Sequence, residues 1–437
     1  MRFITPGRLL SICTGLIISL NISSQSNQLN QLYKPLSADA AIGQWIWQAE
    51  DGPANTWACF RKSFDLTEDP TEASTIIAVD SKYWLWVNGE MVVFEGGLKQ
   101  GPTPNDSYYD VLDISSYLHA GTNTLAVMVW YFGKQGFSHI DRGKGGLFFE
   151  CNAGSYRVFS NNSWKVKVHP AFESTSGSYE PNFRLPESNV RFNAANDDMG
   201  NWYDPGYDDS AWSDATEKGT PPDAPWGELW MRPIPQWINS GLQDYESLGV
   251  TLPYTTTSQK TISAKLPYNL QLTPYLDITA PAGLTIDIRT DGYEPNSHVY
   301  SLRAEYVTKE GNQQYESPGW INGHYVKYTI PAGVTVNALK YRESGYDCDF
   351  AGSFICNEDF FNVLWTKSQR TLYINMRDTY MDCPDRERGL WWGDVVLEIG
   401  EAFYALDRKS DLLAQKSISN LVEWQKENYE LYAPVPA

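Results

Sequence analysis

The stretch Met381-Asp-Cys-Pro-Asp-Arg-Glu-Arg-Gly-Leu-Trp-Trp-Gly-Asp394 places four carboxylates, two arginines and two adjacent tryptophans within fourteen positions. Pro384, Gly389 and Gly393 interrupt it, so it is too polar for a core strand and too broken for a helix. It reads as a loop, after which Asp394 opens the amphipathic run Val395 to Leu406. Breaking a glycosidic bond needs a proton donor against the leaving oxygen, a second carboxylate, and a flat apolar surface for a sugar ring. This loop offers all three kinds of group. Each residue also has an ordinary role open to it. Asp394 suits a helix N-cap, Asp382 suits a turn before Cys-Pro, and Glu387 between Arg386 and Arg388 suits a surface ion-pair cluster. Their concentration in one loop favours function.

The loop resembles the signature of the bacterial α-L-rhamnosidases, glycoside hydrolase family 78, which carry Asp-Cys-Pro-x-Arg-Glu-Arg followed closely by Trp-x-Gly-Asp. The resemblance implies Glu387 as general acid, Asp382 and Asp394 as the pair that holds the sugar hydroxyls, and Trp391 as the family tryptophan. Trp392 and Arg386 extend that substrate-binding wall. It also implies inversion at the anomeric centre inside an (α/α)6 barrel, with no cofactor and no metal. Two departures stand out: Gly389-Leu390 replaces the usual Leu-Gly order, and Trp392 stands where Thr is common. Both fall on the subsite wall and bear on which sugar is taken more than on the acid.

From the start of the chain, residues 1–24 read as a secretory signal: Arg2 and Arg8 form a basic region ahead of the short apolar core Leu9 to Leu20. That core is too short for a membrane span. The expected location is secreted or periplasmic, with residues 25–40 as a linker. Cys59, Cys151, Cys348, Cys356 and Cys383 then remain, an odd number whose spacing fits no zinc site. Cys348 and Cys356 are close enough in sequence to bridge, though two small buried residues are the more ordinary account.

The formal net charge of -19 opposes phosphate backbones and anionic lipid, so neither nucleic acid nor membrane is expected as a partner. A carbohydrate feels no such repulsion. The 17 Trp and 27 Tyr suit sugar stacking or the cores of large sandwiches equally well.

The length of 437 residues supports two or three domains. Between Trp45 and Trp237, short β-rich runs alternate with Gly, Pro, Asn and Asp. They include Thr75 to Val79, Thr124 to Phe132 and Gly146 to Glu150. Tyr83 to Val87 and Met91 to Phe94 are joined across Asn88-Gly89, the strongest short hairpin signal. Residues 41–237 therefore read as a β-sandwich, similar to the galactose-binding-like accessory domains of the rhamnosidases, with carbohydrate binding and a spacer role both open. Residues 238–350 hold a second β-rich set: Tyr275 to Ile278, Thr285 to Arg289, Tyr325 to Ile330 and Val334 to Tyr341. His324 there is taken as a structural histidine.

From Asn357 the spacing turns helical. Three helices are expected, with Asn357 capping the first over Glu358 to Asn375, and the third running from Lys409 to about Lys426 over Leu412, Leu413, Ile418, Leu421 and Trp424. The fold class is thus multidomain: two N-terminal β-sandwich (jelly-roll) domains, then residues 351–437 as the first helices of an incomplete (α/α)6 barrel. Twelve helices and their loops need about 190 residues, and only 80 run from Glu358 to Ala437. No residue matches the distant catalytic base, and Glu398 and Glu401 read as a solvated helix face. The resulting expectation is an exported glycosidase, inactive alone, that associates through an exposed helical face. A non-catalytic sugar-binding or structural sandwich protein is the competing reading.

Overall fold

The structure, a computed structural model, describes residues 35–36, 41–176, 181, 183–292 and 302–436. The leader expected at 1–24 and most of the linker at 25–40 lie outside them. Two sheets of seven and six strands form the first sandwich. The seven-stranded sheet runs Thr216–Gly219, Trp45–Trp47, Gly146–Ala153, Ala73–Asp80, Ser107–Asp113, Leu229–Met231, with Tyr156–Phe159 folded back on Gly146–Ala153. The six-stranded sheet runs Ser213–Asp214, Lys165–Val168, Thr56–Leu66, Gly121–Tyr131, Lys82–Val87, Glu90–Gly96. Asn88 and Gly89 turn the last hairpin with φ of 52° and 84°, the left-handed pair that an Asn-Gly turn supplies. Ile46, Trp47, Phe60, Leu85, Val127 and Phe149 fill the space between the sheets. Each such burial contributes about 1.5–3 kcal/mol. Trp45, Trp47, Trp57, Trp84, Trp164 and Trp226 are fully buried, so much of the tryptophan surplus is core.

The second body is a ten-stranded sheet around a core of its own. Its spine is the strand Lys260–Ala280, whose first half alternates exposed and buried and pairs with Ile321–Ile330. Register slips between Lys265 and Leu270, where Pro267 has no N–H to give, and the second half pairs with Thr335–Gly345 and Gly311–Glu316. The strand Val190–Asn193 lies parallel to Ala304–Val307, so this piece of the 41–237 stretch completes the larger sheet.

Three helices follow: α1 (Asp359–Ile374), α2 (Trp392–Ala405) and α3 (Lys409–Glu423). The residue before α1 is Glu358 rather than Asn357, and its side chain makes no cap bond. Asp394 is not a cap either. It sits in the first turn of α2, where its charge faces the positive helix end. The buried face of α3 also differs from expectation. It holds Ser410, Lys416, Ser417 and Asn420 beside Leu413, while Ile418 is half exposed. The reason is its neighbour: Asn420 donates to the carbonyls of Gly101 and Pro102, and Lys416 lies over the Tyr108 ring. Cys348 and Cys356 are both free thiols. No helix among the described residues is long and apolar enough to cross a membrane.

Candidate active site

The acidic loop is a closed structure. Asp382 N–H donates to the Gly389 carbonyl at 3.1 Å, and Gly389 N–H donates back to Asp382 Oδ1 at 3.0 Å. Arg388 holds its base. Its φ of 53° is a left-handed conformation that costs an L residue about 1–2 kcal/mol, offset here by a buried guanidinium with every direction occupied. That group donates to Pro384 O at 2.9 Å and Trp320 O at 3.1 Å, pairs with Glu187 at 3.1 Å, and stacks over Trp320 at 3.3 Å. Glu187 in turn meets Lys99 at 3.1 Å. Burial pushes the Glu187 carboxyl up, but the Lys99 and Arg388 charges outweigh it and bring it down to about 2.

With Arg388 pinned on the inside, Glu387 projects the other way and is still only 3% exposed. Oε2 accepts from Trp391 Nε1 at 2.7 Å, and Oε1 accepts from Arg184 Nη1 and is ion-paired with Arg386 Nε at 2.9 Å. Arg184 comes from the segment between Phe172–Glu173 and Val190–Asn193, two paired strands of the larger sheet. Its guanidinium lies over Phe137 at 5.4 Å and Phe183 at 5.3 Å, and Phe137 faces Trp391 at 5.9 Å. Around the acidic group there is therefore an aromatic wall that the first 190 residues help to build.

The other candidates are placed unequally. Asp382 is buried, and that burial, with the Glu387 charge nearby, pushes its carboxyl above the ordinary value. Arg386 is half exposed and reaches both Asp382 at 3.5 Å and Glu387. Asp394 is exposed in the first turn of α2. Trp391 touches Glu387, whereas Trp392 packs against the helical core. His324 is an exposed side chain whose ring lies 3.6 Å from the Asp291 carboxylate.

Glu398 overturns the solvated-face reading. It is 8% exposed, and burial, together with the charges of Asp394 and Asp382, pushes its carboxyl up to about 8. It lies one turn along α2 from Asp394, so the i, i+4 spacing was the available signal. Asp382, Glu387, Asp394 and Glu398 thus form one carboxylate group. Arg184, Phe137 and Glu187 carry no local signal, being contacts across some 200 residues. Among the described residues no His, Cys, Asp and Glu group has a metal-holding arrangement. Asp208 accepts from the Ser210 N–H, and Asp209 pairs with Arg61.

Residues 349–437 match the model of the bacterial alpha-L-rhamnosidase 6 hairpin glycosidase domain. An alpha-L-rhamnosidase of Formosa agariphila is 24% identical over 392 residues, which is 80% of this chain and 38% of that protein. The chain therefore spans well under half the length of that curated relative. A GH78 rhamnosidase of Bacillus sp. GL1 superposes with a TM-score of 0.78 at 18% identity, covering 91% of this chain and 64% of the other. An Aspergillus terreus α-L-rhamnosidase gives 0.70 at 18%, covering 92% and 47%. These likenesses establish the fold: sandwiches followed by the opening helices of a six-hairpin domain.

Proposed function

We propose that this chain belongs to an α-L-rhamnosidase of the glycoside hydrolase family 78 kind and carries the proton-donating half of an inverting glycan-cleaving site. In this reading Glu387 donates to the bridging oxygen, Asp382 and Asp394 hold sugar hydroxyls, and Trp391 with Phe137 gives the apolar wall. One observation carries it: a nearly buried Glu387 fixed by donors from both its own loop and Arg184, beside a second buried carboxyl at Asp382. Fixed geometry of this kind lets a proton donor act without reorganising.

An inverting site also needs a base on the opposite ring face, about 6.5–9.5 Å from the acid, to activate water. Among the described residues no carboxylate is assigned that role, and the chain by itself is expected to leave an aryl α-L-rhamnoside intact. Joined to the remaining barrel hairpins of a relative, it should release the β anomer first, followed by NMR before mutarotation. Release of the α anomer first, or turnover by the chain alone, would contradict the reading. Export is part of the proposal, supported by the Arg2–Leu20 pattern. N-terminal sequencing of protein recovered outside the cytoplasm should begin beyond residue 20, and an intact Met1 there would refute it.

A further inference from the structure

A second concavity, about 380 Å³, opens between the first sandwich and the larger sheet, and none of its lining residues belongs to the acidic loop. One wall is Trp84, Trp86 and Tyr203, with Trp86 and Tyr203 stacked at 5.2 Å and 8° between planes. Facing it are Phe192, Tyr306 and Tyr315, stacked in series at 5.0 Å and 4.8 Å. The volume is within the range of small-molecule sites, and the aromatic rings come from both β bodies.

The polar groups of this cleft are mixed rather than of one sign. Asp197 uses Oδ1 to accept the N–H groups of Met199 and Gly200, each at 3.1 Å, which fixes its carboxylate at the rim. Asn201 and Lys309 are exposed beside it. Glu316 is already taken by Arg342 and Thr273. His169 Nδ1 accepts from the Ala171 N–H at 3.3 Å, so the neutral ring carries its proton on Nε2 as a donor. Burial pulls that imidazole down to about 4, and it is neutral at ordinary pH. Trp84 Nε1 is buried and has no acceptor among the described residues.

Aromatic faces, single donors and acceptors, and no cluster of unpaired cations select against phosphorylated or strongly acidic ligands. A sugar ring matches, presenting C–H faces to the rings and hydroxyls to the edges. We infer that this cleft is a second glycan-binding site, taking a neutral mono- or disaccharide unit against the part-exposed Tyr203 and Phe192 rings, with Trp86, Tyr306 and Tyr315 buried beside them. The site rests on the cleft, and only the choice of sugar as ligand leans on the proposed function.

The test is affinity gel electrophoresis of the full chain in xyloglucan, galactomannan and neutral arabinogalactan, repeated with Glu387→Gln, Tyr203→Ala and the exposed-rim double variant Asn201→Ala/Lys309→Ala. The expected result is retardation by at least one polysaccharide, kept by Glu387→Gln. Tyr203→Ala should weaken it about tenfold, as for a central aromatic contact, and the rim variant should weaken it measurably. The rim variant guards against misfolding of Tyr203→Ala, since both of its sites are exposed. No retardation in any of the three, or retardation undiminished in both cleft variants, would overturn the inference. Loss only in Glu387→Gln would move the sugar to the acidic loop and overturn it too.

Discussion

Glu387 takes hydrogen bonds from Trp391 in its own loop and from Arg184 about 200 residues earlier, and is ion-paired with Arg386. Because the carboxylate is almost fully buried, removing one charged donor should be felt. Arg184→Ala should lower stability by about 1–3 kcal/mol in denaturant unfolding, with Arg184→Lys recovering only part, since a lysine cannot also lie flat across Phe137 and Phe183. An unchanged midpoint would mean that the Arg184 contact contributes nothing. Glu398 gives a prediction with a sign. Its carboxyl is raised from 4.5 to about 8 in the fold, so its neutral form contributes stability that is fully present below pH 4.5 and is lost as pH rises toward 8. Glu398→Gln should therefore match the parent near pH 4.5 and melt higher at pH 8, and the same difference at both values would contradict this. Glu387, Asp382 and Trp391 were legible in sequence because loop carboxylates beside tryptophan already form an unusual local pattern. Arg184, Glu187 and Phe137 were not legible, since each acquires its role only when the sandwiches dock on the loop.

The helices show the same division at the scale of elements. Their existence and approximate ranges followed from apolar spacing, but which apolar residues would be buried did not. Leu372 and Ile374 of α1 are buried, whereas Phe360, Phe361, Val363 and Leu364 on the same helix are 47–69% exposed. Val396, Leu397, Phe403 and Tyr404 of α2 are similarly open. Periodicity marks an apolar face without saying what covers it, and two such faces on one helix look alike in sequence. Contiguous apolar surface of this kind promotes association. We expect the weight-average mass in sedimentation equilibrium to rise with concentration, and Phe361→Asp with Leu397→Asp to restore a monomer. A parent that stays monomeric at every concentration would contradict that expectation. The Asn88-Gly89 hairpin was the clearest element in the sequence, since its turn chemistry is local. The 21-residue strand Lys260–Ala280 was recognised only over Tyr275 to Ile278, because it changes partners halfway along.

Across the whole molecule, a buried ionic network joins both β bodies to the approach of the acidic loop. Asp378 accepts from Lys82 Nζ at 2.7 Å and the Lys99 N–H at 3.0 Å, Arg377 pairs with Glu95 at 2.7 Å, and Arg377 also donates to Gln271 of the larger sheet at 2.8 Å. Lys99 continues through Glu187 to Arg388. Removing one member leaves an uncompensated buried charge, so Glu187→Gln should cost about 3–5 kcal/mol. Unfolding that shifts by less than half of that would show the network to be weakly coupled. The account rests most heavily on Glu387 delivering a proton to a leaving sugar oxygen. The direct measurement compares two substrates in this chain joined to barrel hairpins of a relative: an aryl α-L-rhamnoside, whose leaving oxygen needs protonation, and α-L-rhamnosyl fluoride, whose leaving group does not. Glu387→Gln should lower the first rate by about 10²–10⁴ and leave the second near the parent value. An equal fall on both substrates, or no fall on either, would contradict it.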